Sequence, residues 1–129
     1  EDMTESTKRE LVDRYLAAYT AFDVPGMLSM LSPDIAFENY ANGQLTASAQ
    51  GIEEFSRLAE TSRELFSERR QSLVSLRVED DHAIAVVEFR GRLARDIENG
   101  PRAGAEITIT GKSEFAFRDG LITRIVDRS

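Results

Sequence analysis

The dominant spacing of the apolar residues changes near Arg69, and that change narrows the folds open to this chain. Ahead of Arg69 they recur mostly every three or four residues; from there on they recur every second residue. Leu11, Tyr15, Ala18 and Phe22 form a helical stripe that Val12, Leu16 and Tyr19 widen. Thr7 with Glu10 three residues on makes a capping box, so a first helix is predicted from about Lys8 to Ala21. Asp23 then suits an N-cap and Pro25 the first turn of a short second helix, which the Ser32-Pro33-Asp34 run ends. Ile35 to Tyr40 reads as a strand, and Asn42-Gly43 as a tight turn. A third helix follows Gly51, with Ile52, Phe55, Ala59, Ser62 and Phe66 on one side.

After Arg69 the pattern is that of strands. Val74, Leu76 and Val78 alternate, and Glu79-Asp80-Asp81 turns the chain. Ala83 to Arg92 is a long strand, apolar on much of both faces at Ile84-Ala85-Val86-Val87. A loop spans Arg95 to Gly104. Ile107, Ile109, Gly111, Ser113, Phe115 and Phe117 then share one strand face. Asp119-Gly120 signals another hairpin, and Leu121, Thr123, Ile125 and Asp127 share a face of the last strand. Helices first and a meander of strands after them imply an α+β domain with helices on one face of the sheet. One domain is expected to cover residues 1–129, with Glu1-Asp2-Met3 a remnant before or around a native start.

Composition removes several classes of function. Without cysteine there can be no disulfide, thiolate nucleophile or cysteine-held metal, and the chain suits a reducing cytoplasm. A net charge of −7 repels phosphate backbones, so no nucleic-acid partner is expected; the best basic cluster is the pair Arg69-Arg70. No apolar run approaches a membrane span, and no membrane partner is expected. His82, the one histidine, lies in the Asp80-Asp81 turn, and no carboxylate spacing suggests a metal site. Neither a metal nor a cofactor is expected.

The element order and several local runs resemble the nuclear transport factor 2-like superfamily, in its SnoaL-like and ketosteroid isomerase-like branch. The most specific run is Arg14-Tyr15-Leu16-Ala17-Ala18-Tyr19, followed by Ala21-Phe22-Asp23 and Gly26. Asp34-Ile35-Ala36-Phe37-Glu38, Gly51-Ile52-Glu53-Glu54-Phe55 and Phe117-Arg118-Asp119-Gly120-Leu121-Ile122 support it. The resemblance implies a cone-shaped, curved, mostly antiparallel sheet with about three N-terminal helices on its concave face, around an apolar pocket. In ketosteroid isomerases a carboxylate base moves a proton α to a ketone, while a tyrosine and a neutral aspartic acid hold the oxyanion. Tyr15 matches the tyrosine, but the base falls at Asn39 and the aspartic acid at Ser113, so steroid isomerase activity is not expected.

What remains is a set of candidates. Tyr15 and Asp127 are the catalytic candidates. SnoaL-like cyclases resemble this chain in placing an acid late on the last strand, and burial there would raise its pKa. Tyr19, Phe37, Asn39, Val87, Phe89, Ser113 and Phe115 are the ligand-binding candidates, assigned by strand alternation and by the matched helix. For Tyr15 the competing reading is a core ring whose hydroxyl reaches a backbone carbonyl; for Asp127 it is a solvated chain end. Glu38 should point away from the pocket by alternation. The leading function is binding of a small apolar ligand, with proton transfer or cyclisation on a carbonyl compound. The rivals are a non-enzymatic binding or dimerisation module with a residual cavity, and a nuclear transport adaptor. A homodimer through the outer sheet face is expected, because Ile84 and Val86 would otherwise expose apolar area.

Overall fold

The computed structural model of the protein describes residues 3–129, so the start of the suspected remnant, Glu1 and Asp2, lies outside the described residues. The first helix, α1 (Glu5–Thr20), begins one turn earlier than the capping box predicts. Thr4 is still extended at ψ 162°, and its hydroxyl accepts the Thr7 amide at 3.1 Å, so Thr4 is the cap and Thr7 lies inside the helix. Leu11, Val12, Tyr15 and Leu16 are its buried stripe. Helix α1 is capped at Ala21, and the next residue, Phe22, takes a left-handed φ of 59°. Asp23 caps α2 (Val24–Leu28) as expected, its carboxylate accepting the Gly26 amide at 3.0 Å.

Helix α2 ends before Pro33, and the strand β1 (Leu31–Ala41) has already begun there. The proline fits because β1 breaks register between Leu31 and Ala36, where no ladder hydrogen bond needs its missing N–H. Asn42 and Gly43, at φ 53° and 78°, close a two-residue hairpin into β2 (Gln44–Gln50). That strand is mostly polar and was not anticipated. Gly51, at φ 87°, turns the chain into α3 (Ile52–Leu65), which runs directly into β3 (Phe66–Val78). The strands β4 (His82–Leu93), β5 (Glu106–Arg118) and β6 (Leu121–Arg128) complete the chain. Asp119 and Gly120, at φ 54° and 81°, make the last hairpin.

The six strands form one curved, unclosed sheet in the order β2-β1-β6-β5-β4-β3, antiparallel except where β1 runs parallel to β6. Helix residues Leu11, Val12, Leu16, Met27 and Phe55 share a core with Ile35, Ala83, Ala85, Phe115 and Ile125 of the sheet. Two bulges correct the strict alternation read from sequence. In β3, Leu73 opposes Val87 and Ser75 opposes Val86, so Val74 is the extra residue; it stands 63% exposed while Leu73, Leu76 and Val78 meet the core. In β6 the register jumps between Arg124 and Ile122, which makes Thr123 the extra residue. Ile122 therefore faces the core with Ile125, in place of the expected Leu121 and Thr123.

The outer face also departs from a bare apolar surface. Ile84 and Val86 are only partly exposed, and the same face carries Glu38 bound to Arg124 at 3.0 Å. His82 opens β4 rather than lying in the turn, half-exposed with its ring nitrogen 3.0 Å from Asp81.

Candidate functional site

Between the helices and the concave face lies a cavity of about 400 Å³, within the range of small-molecule sites. Its floor comes from every second residue of the central strands, because alternation sends Val87 and Phe89 of β4, and Ser113 and Phe115 of β5, to the same side. Phe37 and Asn39 of β1 line it next to Asp127 of β6, while Tyr15 and Tyr19, one turn apart on α1, form the opposite wall. All nine residues singled out from the sequence thus border one cavity. Aromatic edges hold the walls in place: Tyr15 meets Phe115 with ring centres 6.0 Å apart, Phe37 meets Phe55 at 5.6 Å, and Tyr19 meets Phe89 at 6.3 Å.

The polar groups are arranged in a row across the sheet. Asn39 is in register with Asp127 on one side, and Ser113 with Asp127 on the other, so three neighbouring strands present polar side chains at one level. The Ser113 hydroxyl donates to the Asp127 carboxylate at 2.6 Å. Its proton is thereby committed to Asp127, so Ser113 orients the acid, whereas the sequence reading had it as a donor to the ligand. Asn39 donates to the Thr46 hydroxyl at 2.7 Å, across the β1–β2 hairpin.

Asp127 faces a largely apolar cavity, and burial pushes its carboxyl up from 3.8 to about 6, against the opposing pull of the Ser113 hydrogen bond. By residue it is only partly buried, because the open cavity adjoins it; the carboxylate itself is enclosed. Near neutral pH this group is mostly ionised yet still basic enough to exchange protons. Tyr15 is pushed well above the ordinary phenol value, by burial first and then by the negative charge of Asp127 and by Tyr19. It therefore remains a neutral hydrogen-bond donor. Among the described residues no protein group hydrogen-bonds its hydroxyl and no buried side-chain polar atom is orphaned, so the hydroxyl opens on the cavity rather than on a backbone carbonyl.

Sequence reasoning passed over part of this site. Met27, Leu58 and Gln71 also line the cavity, as do Lys112, Arg128 and Ser129 near the end of the chain. Arg69 was read as half of a weak surface cluster, yet it is only 6% exposed and packs beneath Tyr19. Its inward alternation with Gln71 and Leu73 could have signalled this. Glu38 points outward as alternation requires. Among the described residues no group of three or more His, Cys, Asp or Glu side chains is placed to hold a metal, and no helix is long and apolar enough to cross a membrane.

Residues 12–125 match the sequence pattern of the SnoaL-like domain, which is nearly the whole of the sheet and its helices. The chain belongs to the SnoaL-like domain family. It thereby falls in the nuclear transport factor 2-like superfamily. Three solved structures place the SnoaL-like fold in context. A protein assigned as a polyketide cyclase from Pseudomonas putida is 25% identical, with 97% of this chain and 90% of that chain covered and a TM-score of 0.73. One assigned as a SnoaL-like polyketide cyclase from Jannaschia is 15% identical, over 98% and 89% of the two chains, with a TM-score of 0.80. A protein of ketosteroid isomerase-like fold from Catenulispora acidiphila, in complex with trimethylamine, is 17% identical over 92% and 83%, with a TM-score of 0.75. The last two likenesses are of fold alone. No curated protein matches this SnoaL-like chain by sequence.

Proposed function

We propose that this SnoaL-like protein binds a small apolar carbonyl compound and moves a proton on it, as an isomerase or cyclase. The observation that carries the reading is Asp127, an enclosed carboxylate held by Ser113 and facing an apolar cavity opposite the open hydroxyl of Tyr15. In this scheme Asp127 takes a proton from the carbon α to the ligand's carbonyl. The electron pair moves onto the oxygen, and the Tyr15 hydroxyl donates a hydrogen bond to the resulting enolate. Where the ligand has a double bond β,γ to the carbonyl, protonated Asp127 then returns the proton to the γ carbon and the double bond moves into conjugation, which is isomerisation. Alternatively the enolate carbon attacks a second carbonyl of the same molecule, closing a ring, and the new alkoxide takes the proton back from Asp127. Both routes balance without any further reagent. Phe37, Val87, Phe89 and Phe115 would exclude water and hold the apolar body, with Tyr19 and Asn39 at its edges. Steroid isomerase activity is no part of the proposal, because Asn39 cannot accept a proton at neutral pH. A cytoplasmic location and a homodimer are further parts of it, the dimer formed through the face that carries Ile84 and Val86.

The test is proton exchange. A panel of cyclic and polycyclic ketones is incubated with the protein in heavy water, and deuterium entry α to the carbonyl is followed by NMR. Catalysed exchange that falls ~10²–10⁴-fold in Asp127→Asn, the usual loss for a positioned base, is the expected result. Ketones that bind without exchanging, or exchange equally well in the variant, would leave a binding module with a residual cavity as the better account.

A further inference from the structure

Arg69 is an unusual group to find behind an apolar cavity. The residue is only 6% exposed. Its Nε donates to the carbonyl of Tyr19 at 2.7 Å, and its guanidinium lies 3.7 Å from the centre of the Tyr19 ring and 4.5 Å from that of Phe22. Among the described residues no carboxylate pairs with it. Buried cations are normally neutralised by an anion, and a guanidinium stays charged at any physiological pH. The surroundings are also built at a cost: Phe22 holds a left-handed φ of 59°, a conformation a phenylalanine rarely takes, and its ring covers the cation.

Position along the sheet gives this charge a direction. Arg69, Gln71 and Leu73 pair in unbroken register with Gly91, Phe89 and Val87, so they share the inward face, and Gln71 already lines the cavity. Arg69 thus sits behind the tyrosine wall, across the cavity from the row formed by Asn39, Asp127 and Ser113. We infer that Arg69 is a positioning residue that supplies an unneutralised positive field to the tyrosine side of the cavity, favouring ligands that carry or develop an oxyanion there. The electrostatics agree: Arg69 acts to lower both Tyr15 and Tyr19, against their burial, and does not figure among the influences on Asp127. A cation placed this way stabilises negative charge on a bound oxygen without holding down the base. The inference rests on the proposed function for its chemistry, though the field can be measured apart from any reaction.

The competing view is that Arg69 merely ties the end of α1 to β3, where a cation also suits the helix dipole. An oxyanion probe separates the two. 4-Nitrophenol reports its own ionisation by absorbance, and nitrobenzene is its neutral counterpart. Both are titrated into the Asp127→Asn protein, in which the repelling carboxylate is gone. The expected result is that the phenolate binds more tightly than the neutral phenol. Adding Arg69→Gln should cost the phenolate about tenfold, about one pKa unit of the bound probe, with nitrobenzene affinity unchanged. Arg69→Lys should restore the preference, and it carries the test alone should the Gln variant not fold. Equal losses for phenolate and nitrobenzene, a phenolate preference indifferent to Arg69→Gln, one lost in a folded Arg69→Lys protein, or a cavity that prefers the neutral phenol would each overturn the inference. Tyr15→Phe is read beside them. Should it leave phenolate binding intact while Arg69→Gln weakens it, the donor role given to Tyr15 fails and the field of Arg69 stands.

Discussion

Asp127 should make the protein less stable at neutral pH than it would be without the charge. Its carboxyl rises from 3.8 to about 6 on folding, so the folded state favours the neutral form. Below pH ~3.8 the group is protonated in both states and contributes no penalty. As pH climbs through the interval to about 6, the unfolded chain ionises first and the penalty grows; above about pH 7 it is complete. The distance from 3.8 to about 6, at ~1.36 kcal/mol for each pH unit, gives ~3 kcal/mol. Water entering through the cavity mouth screens the charge, so ~3 kcal/mol is an upper bound. Replacing Asp127 by Asn keeps an acceptor for the Ser113 hydroxyl and removes the charge.

The expected outcome is an Asp127→Asn protein that is more stable than wild type by ~1.5–3 kcal/mol at pH 7.5, with the advantage shrinking toward zero near pH 4. Urea denaturation at a series of pH values measures it, and every other titrating group cancels in the difference between the two proteins. An advantage that does not change with pH, or a variant no more stable than wild type at pH 7.5, would refute the claim that burial dominates this carboxyl. Destabilisation at a site of proposed chemistry is the usual trade between activity and stability.

Three further outcomes follow from the same geometry. Ser113→Ala removes the hydrogen bond that opposes burial, so the Asp127 carboxyl should titrate about one pH unit higher still, read from its carbon-13 shift. Gly111→Ala would set a methyl 2.4 Å from the backbone oxygen of Arg128, at the closing edge of the cavity; a loss of ~1–3 kcal/mol in urea denaturation is expected, and none would show that the strand ends yield freely. The proposed homodimer should appear at micromolar concentration by light scattering and dissociate in Ile84→Lys; a monomeric wild type removes it.

What the sequence disclosed depended on how local each signal was. The stripe of α1, the cap at Asp23 and both glycine hairpins are set by residues within a turn of one another, and those were readable. The bulges at Val74 and Thr123 were not, because the neighbouring strand decides which residue is left out of the ladder. Strand β2 escaped because its alternation of Leu45, Ala47 and Ala49 with Thr46, Ser48 and Gln50 rests mostly on small residues that carry little apolar signal; pairing with β1 and burial of Ala49 in the core hold it. Arg69 escaped for a similar reason. Its partners Tyr19 and Phe22 lie some fifty residues earlier, and beside Arg70 it looks like surface charge.

The row of Asn39, Asp127 and Ser113 explains how the resemblance to ketosteroid isomerases could fail at its base position without emptying the site of chemistry. Because β1 runs parallel to β6 in register, Asn39 and Asp127 stand side by side on adjacent strands, which lie ~4.8 Å apart. A carboxylate moved from the first position to the second keeps its level along the cavity and its side of the sheet. It also gains a neighbour on β5, the Ser113 hydroxyl, whose hydrogen bond limits how far burial can raise it. Tyr15 stays on the opposite wall in either arrangement. The fold therefore fixes a level at which an acid can act and leaves open the strand that supplies it. Under the proposed function, Asn39→Asp should then impair rather than restore activity. Two carboxylates side by side would share one proton, and the pair would titrate with its second step raised well above about 6. A variant that exchanges ketone protons faster than wild type at neutral pH would contradict this.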